Sequence, residues 1–233
     1  MSRIECILFD CMETLVDIKE APELKEYDAI WAFEGSGNEG YWKDFDEFLR
    51  DYKTAKCFLE DKCPNYKEYE MSERYHHLLK DKIGEEHGDF EEAITNFAKI
   101  YWENYSSRCY VRDEVKAVLE RLSKRYTLGI VSNFKVSGGV EDLLEKTGIS
   151  HFFKTVTVSV NVGWRKPNPN IYNIASDSLG LKSSEIIFVG DDFKCDYEGP
   201  RNIGIKSILL DRSDKFSHIE DRVRDFYELE KVL

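Results

Sequence analysis

No apolar run in these 233 residues approaches the roughly 18 needed to cross a bilayer, so no membrane partner is expected. The six cysteines (Cys6, Cys11, Cys57, Cys63, Cys109, Cys195) make no C-x-x-C pair and no regular framework, which argues against a disulfide scaffold and predicts free thiols. Nor are histidines placed beside them as a zinc site requires. Positive charge is not in excess either: 33 Lys and Arg face 45 Asp and Glu, for a net charge of −12. Nucleic acid is bound largely through Lys and Arg on phosphates, so it is not an expected partner. A small phosphorylated molecule remains open, because a few local cations and a metal suffice for one phosphate. No internal repeat or low-complexity tract is present. The opening Met1-Ser2-Arg3-Ile4-Glu5-Cys6 enters a strand-like run at once and leaves no room for a leader peptide, so a cytoplasmic protein is expected.

What is present divides into three textures. Residues 4–10 form a first strand pattern that ends on Asp10. Residues 18–107 are charged and aromatic-rich, without a convincing β-run. Phe90, Ile94, Phe97, Tyr101 and Tyr105 recur at helical spacing, as do apolar residues in Phe45–Leu59. This stretch predicts a bundle of four or five helices, with most of its aromatics (Trp31, Phe33, Trp42, Tyr75 and Tyr101 among them) as packing core. From 108 onward helix and strand alternate. Helices are predicted at Arg112–Lys124, Val140–Thr147, Asn170–Leu179 and near Asp196–Asn202, and strands at Thr127–Ser132, Thr155–Val160, Ile186–Gly190 and Ser207–Leu210. Such alternation builds βαβ units into an α/β fold with a doubly wound parallel sheet. Residues 1–17 and 108–233 are therefore predicted as the α/β core domain, and 18–107 as a helical domain inserted into it.

In an open parallel sheet, ligands bind beyond the carboxyl ends of the strands. Four of those ends are polar here: Asp10; Ser132-Asn133; the Lys166-Pro167 that follows the third; and Gly190-Asp191-Asp192, followed by Asp196. Each alone has an ordinary explanation, as a helix cap, a turn or a solvated loop residue. Together they gather carboxylates, a hydroxyl and a lysine in one crevice. Packed carboxylates repel, and a divalent cation with hard oxygen ligands removes that conflict, which favours magnesium held by Asp10 and Asp191. Lys166 balances the remaining charge and keeps Asp10 ionised. Ser132, Asn133 and Lys166 are the expected contacts to substrate phosphate, and Asp10 is placed as a nucleophile.

The four motifs, Phe9-Asp10-Cys11-Met12-Glu13-Thr14-Leu15-Val16-Asp17, Val131-Ser132-Asn133, Lys166-Pro167 and Gly190-Asp191-Asp192 with Asp196, resemble those of the haloacid dehalogenase superfamily. The resemblance covers nearly the whole chain and implies a Rossmann-like core, an α-helical cap after the first motif and an aspartate-nucleophile hydrolase, most often a magnesium-dependent phosphatase. One position departs from it. The family's phosphatases carry an acid/base Asp two residues after the nucleophile, whereas this chain has Met12, and a thioether cannot shuttle a proton. The Met12 carbonyl remains available as a third metal ligand beside Asp10 and Asp191. Glu13, where the family usually has Gly, is one candidate replacement acid, and a residue of the cap is another.

Three functions follow: a magnesium-dependent phosphatase or phosphotransferase on a small metabolite; a metal-independent 2-haloacid dehalogenase-like hydrolase, whose relatives also lack the second Asp; or a weak or silent ligand-binding protein. Cys11 and Cys195 flank the site, and their oxidation is expected to block it. A monomer and a homodimer both fit the sequence.

Overall fold

The run Cys6–Phe9 is apolar at every position and becomes strand β1, buried on both faces, as a central strand of a parallel sheet must be. The structure, a computed structural model, describes residues 3–23 and 26–233. Its contacts divide into two units. The first comprises Met1–Asp17, Tyr66–Glu68 and Tyr110–Leu233; the second comprises Ile18–Asn65 and Tyr69–Cys109. A short strand pair, β2 (Asp17–Ile18) with β3 (Cys109–Tyr110), lies where the chain passes between them.

In the first unit β1 pairs in parallel with β4 (Thr127–Ser132) on one side and β6 (Ile186–Gly190) on the other. With β5 (Phe153–Val158), β7 (Lys206–Leu210) and β8 (Arg222–Val223), the sheet runs β5-β4-β1-β6-β7-β8. The chain runs from β1 to β4 and β5 on one side and then crosses back to β6, β7 and β8 on the other, so the switch point and its crevice fall at the end of β1. Cys6 and Leu8 point to one face and join Val131, Phe188 and the Ile171, Tyr172 and Ala175 stripe of a helix at Pro169–Leu179. Phe9 points to the other face and stacks on Phe226 at 6.0 Å between ring centres. Burying each such side chain contributes about 1.5–3 kcal/mol.

The strands β4 and β6 lie where the sequence predicts them. β5 begins and ends two residues early, because Ser159 turns the chain: its hydroxyl accepts from the Phe134 amide at 2.9 Å and donates to Glu68 at 2.8 Å. The short helix predicted near Asp196 starts earlier, as a π-turn over Phe193–Glu198, because the Asp192 side chain accepts from the Cys195 amide. β8 and a terminal helix, Phe226–Val232, have no counterpart in the sequence reading. Among the described residues, no helix is long and apolar enough to cross a membrane, and none of the six cysteines is joined in a disulfide.

The second unit holds α1 (Tyr27–Phe33), α2 (Phe45–Lys62), α3 (Met71–Ile83) and α4 (Phe90–Ser106). Asp44 caps α2 through the Glu47 amide, and Glu70 and Glu73 form a capping box on α3. Phe48 packs against Phe33, Trp42, Tyr52 and Phe97 with ring centres 4.5–5.6 Å apart. Arg74 of α3 is 1% exposed. It donates to Asp28 (2.7 Å), Tyr52 (2.6 Å) and Tyr69 (2.7 Å), tying α1, α2 and α3 together. Breaking a buried pair strands the remaining charge, so Arg74→Met is expected to cost about 3 kcal/mol, measured by urea unfolding. A loss below about 1 kcal/mol would show that this network does not hold the helices.

Candidate active site

Asp10 continues β1 by one residue, its amide donating to the Val189 carbonyl at 2.9 Å, so its side chain emerges between the ends of β4 and β6. Lys166 lies on the segment between β5 and the helix Pro169–Leu179 and is 3% exposed. Its Nζ donates to Asp10 Oδ1 at 2.5 Å and to Asp196 Oδ1 at 2.8 Å. Asp196 reaches this point because the π-turn folds it back: its amide donates to the Asp192 carbonyl, and its carboxylate accepts from the Asp192 amide. Gly190 is required beside it, since a Cβ there would occupy the space of the Asp196 carboxylate. Asp191 is held by Thr14, whose hydroxyl donates to Oδ1 at 2.9 Å.

Asp10, Asp191 and Asp196 each offer an oxygen within 4.8 Å of the others. Three carboxylates against one ammonium leave two negative charges uncompensated. The electrostatics reflect this. Burial alone would lower the Lys166 pKa, but Asp10 and Asp196 reverse the effect and raise it, so the ammonium stays charged. Burial raises Asp196, with Lys166 opposing. Asp191 is pushed up to about 6, first by burial and then by the charge of Asp10, with Glu13 adding to the effect. Hard oxygen donors in such a cluster suit magnesium, and the residues present fit that ion.

The other predicted residues fall into place unequally. Ser132 is 1% exposed and its Oγ has no hydrogen-bond partner among the described residues. A buried hydroxyl without a partner at a strand end is an orphaned polar group. Asn133 was expected to meet substrate, yet both ends of its amide engage the Lys166 backbone: Nδ2 donates to the carbonyl at 3.1 Å and Oδ1 accepts from the amide at 2.7 Å. Both bonds hold the lysine backbone. Met12 is half-buried and contributes no side-chain donor. The bridge between Met12 and Val16 is made by the Cys11 carbonyl and the Glu13 amide, which leaves the Met12 carbonyl outside it. Glu13 is exposed and left-handed, at φ 60°.

The cysteine expectation needs correcting. Cys11 is fully buried. Burial, followed by the charges of Asp192 and Asp196, pushes the Cys195 thiol up to about 12, so near neutral pH it is not the thiolate that oxidants attack.

Sequence reasoning named Asp196 without assigning it a role, and it missed the segment Tyr66-Lys67-Glu68. That segment bridges antiparallel to Trp164, donates from the Glu68 amide to the Gly163 carbonyl and accepts at the Tyr66 carbonyl from the Arg165 amide. Lys67 lies over the Trp164 ring at 3.5 Å, and Glu68 pairs with Lys135 at 2.5 Å. It therefore runs along the residues that lead into Lys166. Nothing in its composition announces this.

A parallel α/β sheet with carboxylates and a buried lysine at its strand ends is the framework of a hydrolase. Residues 44–210 match the family model described as haloacid dehalogenase-like hydrolase, and the chain belongs to that family; the matched span begins beyond the Asp10 loop. A glyceraldehyde 3-phosphate phosphatase of Methanopyrus kandleri is 27% identical over 226 residues, 95% of this chain and 90% of that protein. A protein of the same description from Pyrococcus furiosus is 29% identical over 231 residues, 97% and 88% of the two chains. Among solved structures, a 2-haloacid dehalogenase from Pseudomonas syringae superposes with a TM-score of 0.72 at 20% identity, covering 98% of this chain and 97% of that one, a likeness of fold.

Proposed function

We propose that the chain is a magnesium-dependent phosphatase of a small phosphorylated metabolite, with Asp10 as nucleophile, Lys166 as its charge partner and Glu13 supplying the proton that Met12 cannot. The observation that carries this reading is the buried Asp10–Lys166–Asp196 chain beside Asp191 and the unpartnered Ser132 hydroxyl. A cluster with surplus negative charge welcomes a dianionic phosphate only with a cation. Asp10, Asp191 and the Met12 carbonyl would hold it, since Asp196 is already committed to Lys166 and the Asp192 amide. Magnesium, when bound, neutralises the carboxylates and draws charge from the phosphoryl oxygens. The two relatives named as phosphatases across nearly their whole length support the same class.

The chain's own residues then divide the work. Lys166 holds Asp10 in one orientation and stabilises charge on the transferring phosphoryl group, with the Ser132 hydroxyl donating to one of its oxygens. Asp10 attacks phosphorus, the bond to the leaving oxygen breaks, and an aspartyl phosphate forms. Glu13 gives its proton to the leaving oxygen and then takes one from the water that cleaves the intermediate. No observation favours attack on a haloacid, whose carboxylate would meet three others.

The test is hydrolysis by purified protein, with magnesium, of acetyl phosphate, p-nitrophenyl phosphate, glyceraldehyde 3-phosphate and 2-chloropropionate. Phosphate release that a chelator abolishes is expected. No phosphate release from any of these, or chloride release in the presence of chelator, would overturn the reading.

The metal site has its own signature. In metal-free protein Asp191 binds its proton more tightly folded than unfolded, so this group's contribution to stability falls as pH rises from about 4 to about 6. A cation cancels that loss. Magnesium is therefore expected to raise the melting temperature more at about pH 7.5 than at about pH 5, and the difference should vanish in Asp191→Asn. Equal shifts at both pH values would contradict it.

A further inference from the structure

Glu13 is a residue with a side chain held in left-handed backbone directly beside the nucleophile, a conformation that persists only where its surroundings enforce it. Two things enforce it here. Its amide donates to the Val16 carbonyl at 2.8 Å, while Leu15 and Val16 both donate to Cys11 at 2.9 Å. The second comes from the far end of the chain. Arg212, two residues beyond β7, donates from Nη1 to the Glu13 carbonyl and from Nη2 to the Thr14 carbonyl at 2.9 Å. Nη1 also lies 3.9 Å from Asp17, which Arg112 grips at 2.6 Å. The guanidinium is thus placed by Asp17 and spent on the loop.

We propose that Arg212 is a positioning residue for the reaction: its planar fork bridges two successive carbonyls, holds Glu13 left-handed, and so sets residues 12–14 between Asp10 and Asp191. Thr14 can then reach Asp191. Lysine carries the charge but lacks the fork that bridges two acceptors. The role in turnover rests on Asp10 acting as nucleophile; the role in shaping the loop does not.

Both roles are tested with four proteins: Arg212→Lys, Arg212→Met, Glu13→Gly and Arg212→Met/Glu13→Gly. With p-nitrophenyl phosphate and magnesium, both Arg212 variants are expected to lose about 10- to 100-fold in kcat, with a smaller change in KM. Glycine adopts the left-handed conformation without a steric penalty, so it removes the need for the grip. The Arg212→Met loss should therefore shrink to less than about threefold when measured in the Glu13→Gly background. Wild-type kcat in the Arg212 variants, or an equal loss in both backgrounds, would overturn the inference. Hydrogen exchange on metal-free protein reads the loop without turnover: the Leu15 and Val16 amides should exchange at least about tenfold faster in Arg212→Met and return toward wild type in the double variant. If wild-type protein hydrolyses no phosphate, the phosphatase reading fails and exchange alone decides the role of Arg212, with unchanged rates overturning it.

Discussion

Asp10→Asn is expected to abolish turnover of every phosphate substrate, by at least about ten-thousandfold in kcat, while the protein remains folded. The substitution keeps the shape of the side chain and removes its nucleophilic oxygen. An amide is too poor a nucleophile to attack phosphorus, and it no longer balances the Lys166 ammonium. The fold survives because Lys166 keeps its 2.8 Å contact with Asp196 and its backbone stays fixed by Asn133. A melting temperature within a few degrees of wild type, alongside lost hydrolysis of p-nitrophenyl phosphate, is the expected pair of results. Residual kcat above about one part in a hundred would mean that the covalent step is not made on Asp10.

Met12→Asp is expected to act in the opposite direction, raising hydrolysis of alkyl phosphates by about 100-fold, the low end of what acid–base help contributes, because the exposed Glu13 already supplies part of it. Residue 12 lies two positions after the nucleophile, half-buried and followed by the left-handed turn at Glu13. A carboxyl group there would stand on the same loop as Asp10, with the rest of the machinery intact. Proton donation matters in proportion to the basicity of the leaving oxygen. The gain should therefore be large for glyceraldehyde 3-phosphate, smaller for p-nitrophenyl phosphate, and close to nothing for acetyl phosphate. Glu13→Gln should show the mirror image, losing more on alkyl than on aryl esters. A uniform gain across leaving groups, or none, would show that proton transfer does not limit this site.

Much of this site is legible in the sequence because a parallel sheet converts strand ends into neighbours. Ile186–Gly190 and Thr127–Ser132 are short apolar runs bounded by polar residues, and placing them beside Cys6–Phe9 brings Asp10, Ser132 and Asp191 together with little further information. Lys166 follows from the same logic. The rest depends on turns and distant partners. Asp196 becomes a partner of Lys166 only because a π-turn bends it back toward Asp192. Arg212 lies 199 residues from Glu13, and no periodicity links them. Tyr66–Glu68 is three residues of an otherwise helical, charged stretch, yet its backbone pairs beside Trp164. Arg74 sits at an ordinary helix position, and its burial follows from tyrosines on other elements.

The most direct measurement of the proposed chemistry is capture of the covalent intermediate. Protein quenched in acid while turning over acetyl phosphate with magnesium, then digested and analysed by mass spectrometry, should carry phosphate on the peptide that contains Asp10. The same peptide from Asp10→Asn should carry none. Phosphate at another residue, or wild-type turnover with no covalent phosphate on that peptide at any quench time, would contradict Asp10 as the nucleophile.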